Sequence, residues 1–250
     1  MRPKWDGGPA ELVLVRHGES VGNLADVAAQ DAGAEVLDLD ARDADVELSD
    51  TGRDQARALR RWVDGLDDGS GPTVVVTSPY RRAADTAALA LEGLDLTVGF
   101  DERLRERDLG QLDGLTGAGI RARHPEEAAR RKKLGKFYYQ PPSGESWADV
   151  ALRVRSFLHD LRCGYDGERV WLFTHQAVIM SFRFALEGID EAELLDLDRT
   201  VRIPNCSVTT FRRSGGLFEL DGFAETDALD HHDVDVTHES PKGDRDDDVA

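Results

Sequence analysis

The sequence predicts an α/β fold: a three-layer sandwich with a mostly parallel central sheet flanked by helices. Three observations carry that expectation. Apolar runs of strand length alternate with amphipathic stretches, as βαβ units require. Three of those runs are apolar nearly throughout, the mark of strands covered on both faces. The chain, at 250 residues and 40% apolar, is long enough for one substantial core.

The elements follow in chain order. Residues 1–10 hold two prolines, a tryptophan and two glycines, without the basic-then-apolar pattern of a secretory leader, and are read as a short N-terminal segment. The run ELVLV at 11–15 predicts the first buried strand. Residues 24–47 are acidic and weakly periodic, so a loop with at most one short helix is expected. Ser49 then caps a helix over 50–64, with Ala56, Leu59 and Val63 on one face. TVVVT at 73–77 predicts a second strand, and Ser78-Pro79 the start of a helix with Ala83, Ala87 and Leu91 as its buried stripe. Ser146 with Asp149 resembles a capping box opening a helix through Val150, Val154 and Phe157. VWLFT at 170–174 is a third central strand, followed by a helix over 176–186. Segments 207–211 and 217–220 flank Ser214-Gly215-Gly216 and predict a hairpin at a sheet edge. The domain is thus expected over 11–220, with no internal repeat. Residues 221–250 hold eleven Asp or Glu against only Lys242 and Arg245, and this composition predicts a disordered acidic tail.

Composition excludes several functions. No apolar run approaches the roughly 20 residues of a membrane span, and the net charge of −18 disfavours a nucleic-acid partner. Cys163 and Cys206 are too few for a disulfide framework or a zinc site, and both are read as reduced and packed. A cytoplasmic protein is expected. His231, His232 and His238 fall in the acidic tail and are read as solvated, not as a metal site. Trp147 and Trp171 are read as core residues, His124 and His159 as surface ones.

Open parallel sheets bind ligands beyond the carboxyl ends of their strands, so the residues after the three central strands carry the chemistry. The first strand runs into Arg16-His17-Gly18-Glu19-Ser20, the second into Ser78-Pro79-Tyr80-Arg81-Arg82, and the third into His175-Gln176. Two histidines and at least two arginines therefore meet on one rim near helix N-termini, whose free amides favour an anion. Arginine offers a planar fork that matches phosphate oxygens and keeps its charge. A neutral imidazole can attack phosphorus in line and divide one displacement into two. This set suits a phosphate-sized dianion.

The segment Leu14-Val15-Arg16-His17-Gly18-Glu19-Ser20 with Asn23 resembles the signature of the histidine phosphatase superfamily, in its phosphoglycerate-mutase-like branch. Further matches keep the same order: Leu48-Ser49-Asp50-Thr51-Gly52 with Gln55-Ala56, Ser78 with Arg82-Ala83 and Thr86-Ala87, Leu104-Arg105-Glu106-Arg107 with Gly110 and Gly114, Pro142-Ser143-Gly144-Glu145-Ser146, and Thr174-His175. Together they span about residues 11–212. The resemblance implies that His17 is the nucleophile, that Arg16, Arg82 and His175 bind the transferred phosphoryl group, and that Asn23 adds a hydrogen bond. It implies Glu106 as the proton donor and then the base that activates water. Arg107 and Gln176 are candidate substrate-binding neighbours, and no metal or organic cofactor is implied.

The sequence departs from the family where Gln176 replaces a glycine after the second histidine. Asp108, Leu109 and Gly117 stand where mutases of this family carry an aromatic residue, a histidine and a lysine. These departures favour hydrolysis of a small phosphorylated substrate. A bisphosphoglycerate-dependent mutase stays open, because Arg130, Arg131, Lys132 and Lys133 could hold a substrate carboxylate or second phosphate. A non-catalytic phospholigand-binding protein is the third reading. Oligomeric state is open, a homodimer included.

Overall fold

The structure, a computed structural model, describes residues 2–238. In chain order its elements are β1 Glu11–Arg16, α1 Val21–Asp31, α2 Asp50–Asp64, β2 Val74–Thr77, α3 Arg81–Ala90, β3 Val98–Phe100, α4 Gly117–Arg123 and α5 Pro125–Leu134. There follow α6 Trp147–Gly164, β4 Arg169–Thr174, α7 Gln176–Glu187, α8 Glu191–Thr200, β5 Val208–Ser214, β6 Leu217–Glu225 and α9 Asp227–Asp230. The six strands lie in the order β3-β2-β4-β1-β5-β6. Pairings β3–β2, β2–β4 and β4–β1 are parallel, while β1–β5 and β5–β6 are antiparallel.

Side-chain alternation divides the core into two layers, as a sheet covered on both faces requires. Leu12, Leu14, Val170 and Leu172 face α6 and α7, where Val150, Val154, Phe157, Val178 and Phe182 complete one cluster. Val13, Val15, Val75, Trp171 and Phe173 face α2 and α3, where Ala56, Leu59, Val63 and Ala87 complete the other. Each fully buried Leu, Val or Phe contributes about 1.5–3 kcal/mol relative to exposure. The three-layer, mostly parallel architecture is the one expected. Ser49 caps α2 by accepting from the Gly52 N–H at 3.0 Å. Ser146 and Asp149 form the expected capping box of α6. The β5–β6 turn runs through Gly215 and Gly216 at φ of 57° and 75°, a left-handed pair that favours glycine.

Several expectations change. The segment expected to be mostly loop contains α1, whose capping box is formed by Ser20 and Asn23. Its weak apolar periodicity has a physical reason: Val21, Leu24 and Val27 are exposed, and only Ala29 of the helix is buried. Residues 117–134, for which no element is predicted, fold into α4 and α5; α5 has no buried residue and so offers no stripe to be read. The short strand β3 and helix α8 carry no strong sequence signal. Helix α3 begins at Arg81 with Tyr80 as its cap, and Ser78 does not cap it. Cys206 is buried as expected, whereas Cys163 is exposed on the outer face of α6. His159 is exposed, but His124 is only partly so and lies 3.6 Å from Glu126.

The acidic segment expected to lack structure divides at the end of the described residues. Up to position 238 it is built into the fold: β6 continues to Glu225, Ala228 and Leu229 are buried against α2, and Val234 and Val236 pack on the same cluster. The rest of the acidic segment, 239–250, lies outside the described residues.

Candidate active site

The ends of the central strands converge as the parallel register dictates. Arg16 lies opposite Thr174 in the β1–β4 ladder, and the His17 N–H continues it by donating to Thr174 O at 3.0 Å. On the other side of β4, the Ser78 N–H donates to Phe173 O at 2.9 Å. His17, Ser78 and His175 are thereby set side by side and buried. The two imidazole rings have centroids 5.1 Å apart at an interplanar angle of 56°.

Hydrogen bonding assigns the proton on the His17 ring. His17 Nδ1 lies 2.7 Å from Gly18 O. A carbonyl can only accept, so Nδ1 carries the hydrogen and the neutral ring keeps its lone pair on Nε2. His175 Nε2 lies 2.9 Å from Ser78 Oγ. That hydroxyl accepts from the Tyr80 N–H at 3.2 Å, so its own proton can be donated to Nε2. With the proton on its other nitrogen, His175 would offer an N–H at Nδ1, a fully buried atom with no hydrogen-bond partner. Ser78, placed by the sequence at the start of α3, turns its hydroxyl to His175 instead of capping that helix. Burial first, then the charges of Arg82, His17, Arg16 and Arg153, hold the His175 pKa well below the usual 6.5. At neutral pH it is an uncharged donor.

Positive charge surrounds these rings. Arg16 is almost wholly buried and donates to Ile203 O. Arg82, the second residue of α3 and also buried, fixes one guanidinium nitrogen on Asp43 O at 2.7 Å and Asp43 Oδ1 at 2.8 Å. Arg81 is half-exposed and pairs with Glu47 and Asp85, so α3 turns only one of its paired arginines inward. Tyr80 stands edge-on to His175, with ring centroids 5.4 Å apart, and beneath the Arg82 guanidinium at 5.2 Å. Burial, then Asp43 and Asp108, push its phenol up to about 12, so it remains a neutral donor.

Glu106 reaches this rim through its neighbours. Thr174, the residue before His175, donates its hydroxyl to Leu104 O at 2.7 Å, which pins the chain two residues before Glu106. Arg153 donates to Glu106 O at 3.2 Å and is itself held by both oxygens of Glu145, at 3.0 and 3.1 Å. Glu145 also holds Arg105 at 2.7 Å and the Asp108 N–H at 3.1 Å, so one carboxylate fixes both sides of Glu106. The Glu106 side chain is partly exposed and accepts from the Arg107 N–H at 2.7 Å.

The other candidates are placed as follows. Asn23 accepts the Ser20 N–H on Oδ1 at 3.0 Å, so toward an anion its amide can offer only the Nδ2 hydrogens. The Arg107 guanidinium lies 5.8 Å from the centre of the Trp147 ring. Gln176, in the first turn of α7, donates to Asp198 at 3.4 Å, and Asp198 pairs with Lys136 at 3.0 Å. Arg16, His17, Arg82 and His175 are thus brought together, while Arg107 and Gln176 are engaged at the margin. Among the described residues no group of three or more His, Cys, Asp or Glu is arranged to hold a metal ion. No helix of the described residues is long and apolar enough to cross a membrane.

Sequence reasoning missed Tyr80, Asp43 and Asn205. Asn205 donates to His17 O at 3.1 Å and supports the loop from behind. Tyr80 had a signal, since it lies between Ser78 and Arg82 in the same turn. Asp43 and Asn205 had none, because their roles exist only once distant segments pack together.

A mostly parallel sheet with two buried histidines and buried arginines beyond its strand ends forms an α/β site suited to a phosphoryl group. The chain belongs to the histidine phosphatase superfamily, branch 1, whose sequence profile matches residues 12–226. A phosphohistidine mechanism is typical of that family. A bifunctional protein of Mycobacterium tuberculosis is 33% identical over 190 residues, which cover 74% of this chain and 48% of that protein. The chain thus spans about half the length of the first curated relatives it matches. A 2,3-bisphosphoglycerate-dependent phosphoglycerate mutase of Methylobacterium radiotolerans is 34% identical over 198 residues, covering 77% of this chain and 86% of the mutase. Among solved structures, a mycobacterial glucosyl-3-phosphoglycerate phosphatase in complex with VO3 superposes with a TM-score of 0.68 at 30% identity, covering 86% of this chain and 98% of that one.

Proposed function

We propose that the protein hydrolyses monophosphate esters of small metabolites through a covalent phosphohistidine on His17. The observation that carries this reading is the pair of rings: His17 turns its Nδ1 onto the Gly18 carbonyl, which leaves a lone pair on Nε2, and beside it His175 has a buried Nδ1 without a hydrogen-bond partner. An unpaired buried polar group costs about 1–3 kcal/mol, and with its proton on Nδ1 the His175 ring would regain that by donating to a phosphoryl oxygen. In the first step Nε2 attacks phosphorus, the bond from phosphorus to the ester oxygen breaks, and the Glu106 carboxyl gives its proton to the departing alkoxide. In the second step Glu106 takes a proton from water, which attacks the phosphohistidine and restores His17. Arg16, Arg82 and His175 hold the equatorial oxygens throughout, and Asn23 adds an N–H. The guanidinium groups supply positive charge to the transferring group, so we expect turnover without an added metal. Substrates of this class are metabolites of the cytoplasm, where we expect the protein to act.

The test is turnover of p-nitrophenyl phosphate in excess EDTA by the wild type and by His17→Ala. Activity lost in the variant supports the reading, and full activity in the variant refutes it. Phosphate binding without any turnover by the wild type would favour a ligand-binding protein instead.

A second reading, a bisphosphoglycerate-dependent mutase, is favoured by the identity with the Methylobacterium protein. The residues Asp108, Leu109 and Gly117 weigh against it. Interconversion of 2- and 3-phosphoglycerate, strictly dependent on the bisphosphate, would establish it over hydrolysis.

A further inference from the structure

The chain beyond the family match, which ends at residue 226, returns to the loop that carries His17. After α9 it runs along α2, with Val234 and Val236 partly buried against the core, and reaches Thr237. The Thr237 hydroxyl makes two bonds of opposite sense: it accepts from Gln55 Nε2 at 2.9 Å and donates to Asn205 Oδ1 at 3.1 Å. Each of those amides spends its other end on the nucleophile loop. Gln55 Oε1 accepts the Glu19 N–H at 2.8 Å, and Asn205 Nδ2 donates to His17 O at 3.1 Å. Two main-chain bonds complete the fastening: Gln55 Nε2 donates to Asp235 O at 2.8 Å, and the Asn205 N–H donates to Thr237 O at 2.9 Å.

A carboxamide can sit either way round, and in a buried site its partners decide which end is oxygen. Gln55 and Asn205 are both fully buried. Main-chain groups settle both: the Glu19 N–H and Asp235 O require Gln55 to turn its oxygen to Glu19, and His17 O requires a nitrogen of Asn205, so Gln55 presents nitrogen and Asn205 oxygen to Thr237. Only a group that accepts and donates at once satisfies both, which a methyl or a carboxylate cannot do.

We propose that Thr237 is a positioning residue: through Gln55 and Asn205 it fixes the His17–Glu19 backbone, and so the aim of the His17 ring, from a C-terminal strap outside the family match. The inference rests on His17 being the nucleophile. Loosening of the loop leaves the arginine site for the phosphoryl group in place but shifts the attacking atom, and a misplacement of about 1 Å costs up to 10²-fold in rate.

The experiment compares Thr237→Val, which keeps the shape and loses the hydroxyl, with Thr237→Ser, which keeps the hydroxyl, both in the full chain. With p-nitrophenyl phosphate, Thr237→Val should lose about tenfold or more in kcat with KM within about twofold, and Thr237→Ser should stay within about twofold of wild type. Equal losses in both variants, an unchanged kcat in Thr237→Val, or a change in KM alone would overturn the proposal. Amide hydrogen exchange gives a readout independent of turnover. In Thr237→Val the Glu19 N–H should exchange faster while the amide of Leu172 in β4 does not; equal acceleration of both means general destabilisation and overturns it too. Should the wild type itself fail to turn over, the phosphatase reading falls, and the exchange comparison still decides whether Thr237 holds the loop.

Discussion

His17 and His175, brought together from sequence positions more than 150 apart, stand with ring centroids 5.1 Å apart at the end of adjacent parallel strands. One ring has its Nδ1 turned back onto the Gly18 carbonyl, and the other has a buried Nδ1 without a hydrogen-bond partner. In the proposed mechanism the two differ in role: one attacks, one donates.

Glu106 should reveal itself by the leaving group. Glu106→Gln is expected to lower kcat/KM for an alkyl monophosphate by about 10²–10⁴, because the alkoxide must be protonated as it departs. The loss on p-nitrophenyl phosphate should be much smaller, since nitrophenolate leaves without a proton. Steady-state kinetics on the two esters checks this, and equal losses would remove Glu106 from the acid role.

Arg82 and Arg81 are neighbours with opposite surroundings, one buried on Asp43 and one half-exposed among carboxylates. Arg82→Lys should cost about 10²–10³ in kcat/KM, because a point charge replaces a fork of donors aimed at the transition state. Vanadate inhibition should weaken in parallel. Arg81→Lys should stay within about twofold, exposed ion pairs being worth at most about 1 kcal/mol.

His175 predicts a pH dependence of stability. Its folded pKa lies well below 6.5, so the unfolded chain takes up a proton as pH falls through about 6.5 and the folded chain does not. Stability from this group is complete above that pH and falls below it, by up to about 1.4 kcal/mol per pH unit, until the folded pKa is reached. His238, held low by partial burial, then by Arg16 and Arg202, adds in the same direction. Urea unfolding at about pH 7.5 and about pH 5.5 should show a smaller acid loss in His175→Gln than in wild type.

Gly52 tests how closely the loop is seated. A Cβ at this position would lie 1.9 Å from Glu19 O, which is backbone and cannot swing aside. Gly52→Ala should cost about 1–3 kcal/mol, lowering Tm by several degrees, and should also reduce kcat because the displaced atoms adjoin His17. Thermal unfolding together with kinetics separates the two effects.

Much of the fold was legible in the sequence because the central strands are apolar throughout and the long helices announce themselves with Ser49 and Ser146. Helix α1 was not, since its outward face carries Val21, Leu24 and Val27 and its inward face little. The strand-end motifs named His17, Arg82 and His175 because local sequence already places a residue at a strand terminus. The groups that orient them were hidden for the opposite reason. Asp43 under Arg82 and Thr237 behind Gln55 have nothing in their own neighbourhood to mark them, and Glu145, although it falls in a matched segment, gives no sign there of its contacts on both sides of Glu106. The acidic composition of 221–250 concealed four apolar anchors among many carboxylates.

The central claim is a covalent bond between phosphorus and His17 Nε2. Rapid mixing with a ³²P-labelled monophosphate ester, quenched in alkali, measures it directly. The account predicts alkali-stable, acid-labile label on the peptide containing His17, forming and decaying at rates that match turnover, and no label in His17→Ala. A wild type that turns over with no such label on His17, or a His17→Ala variant that is labelled and active, would contradict it.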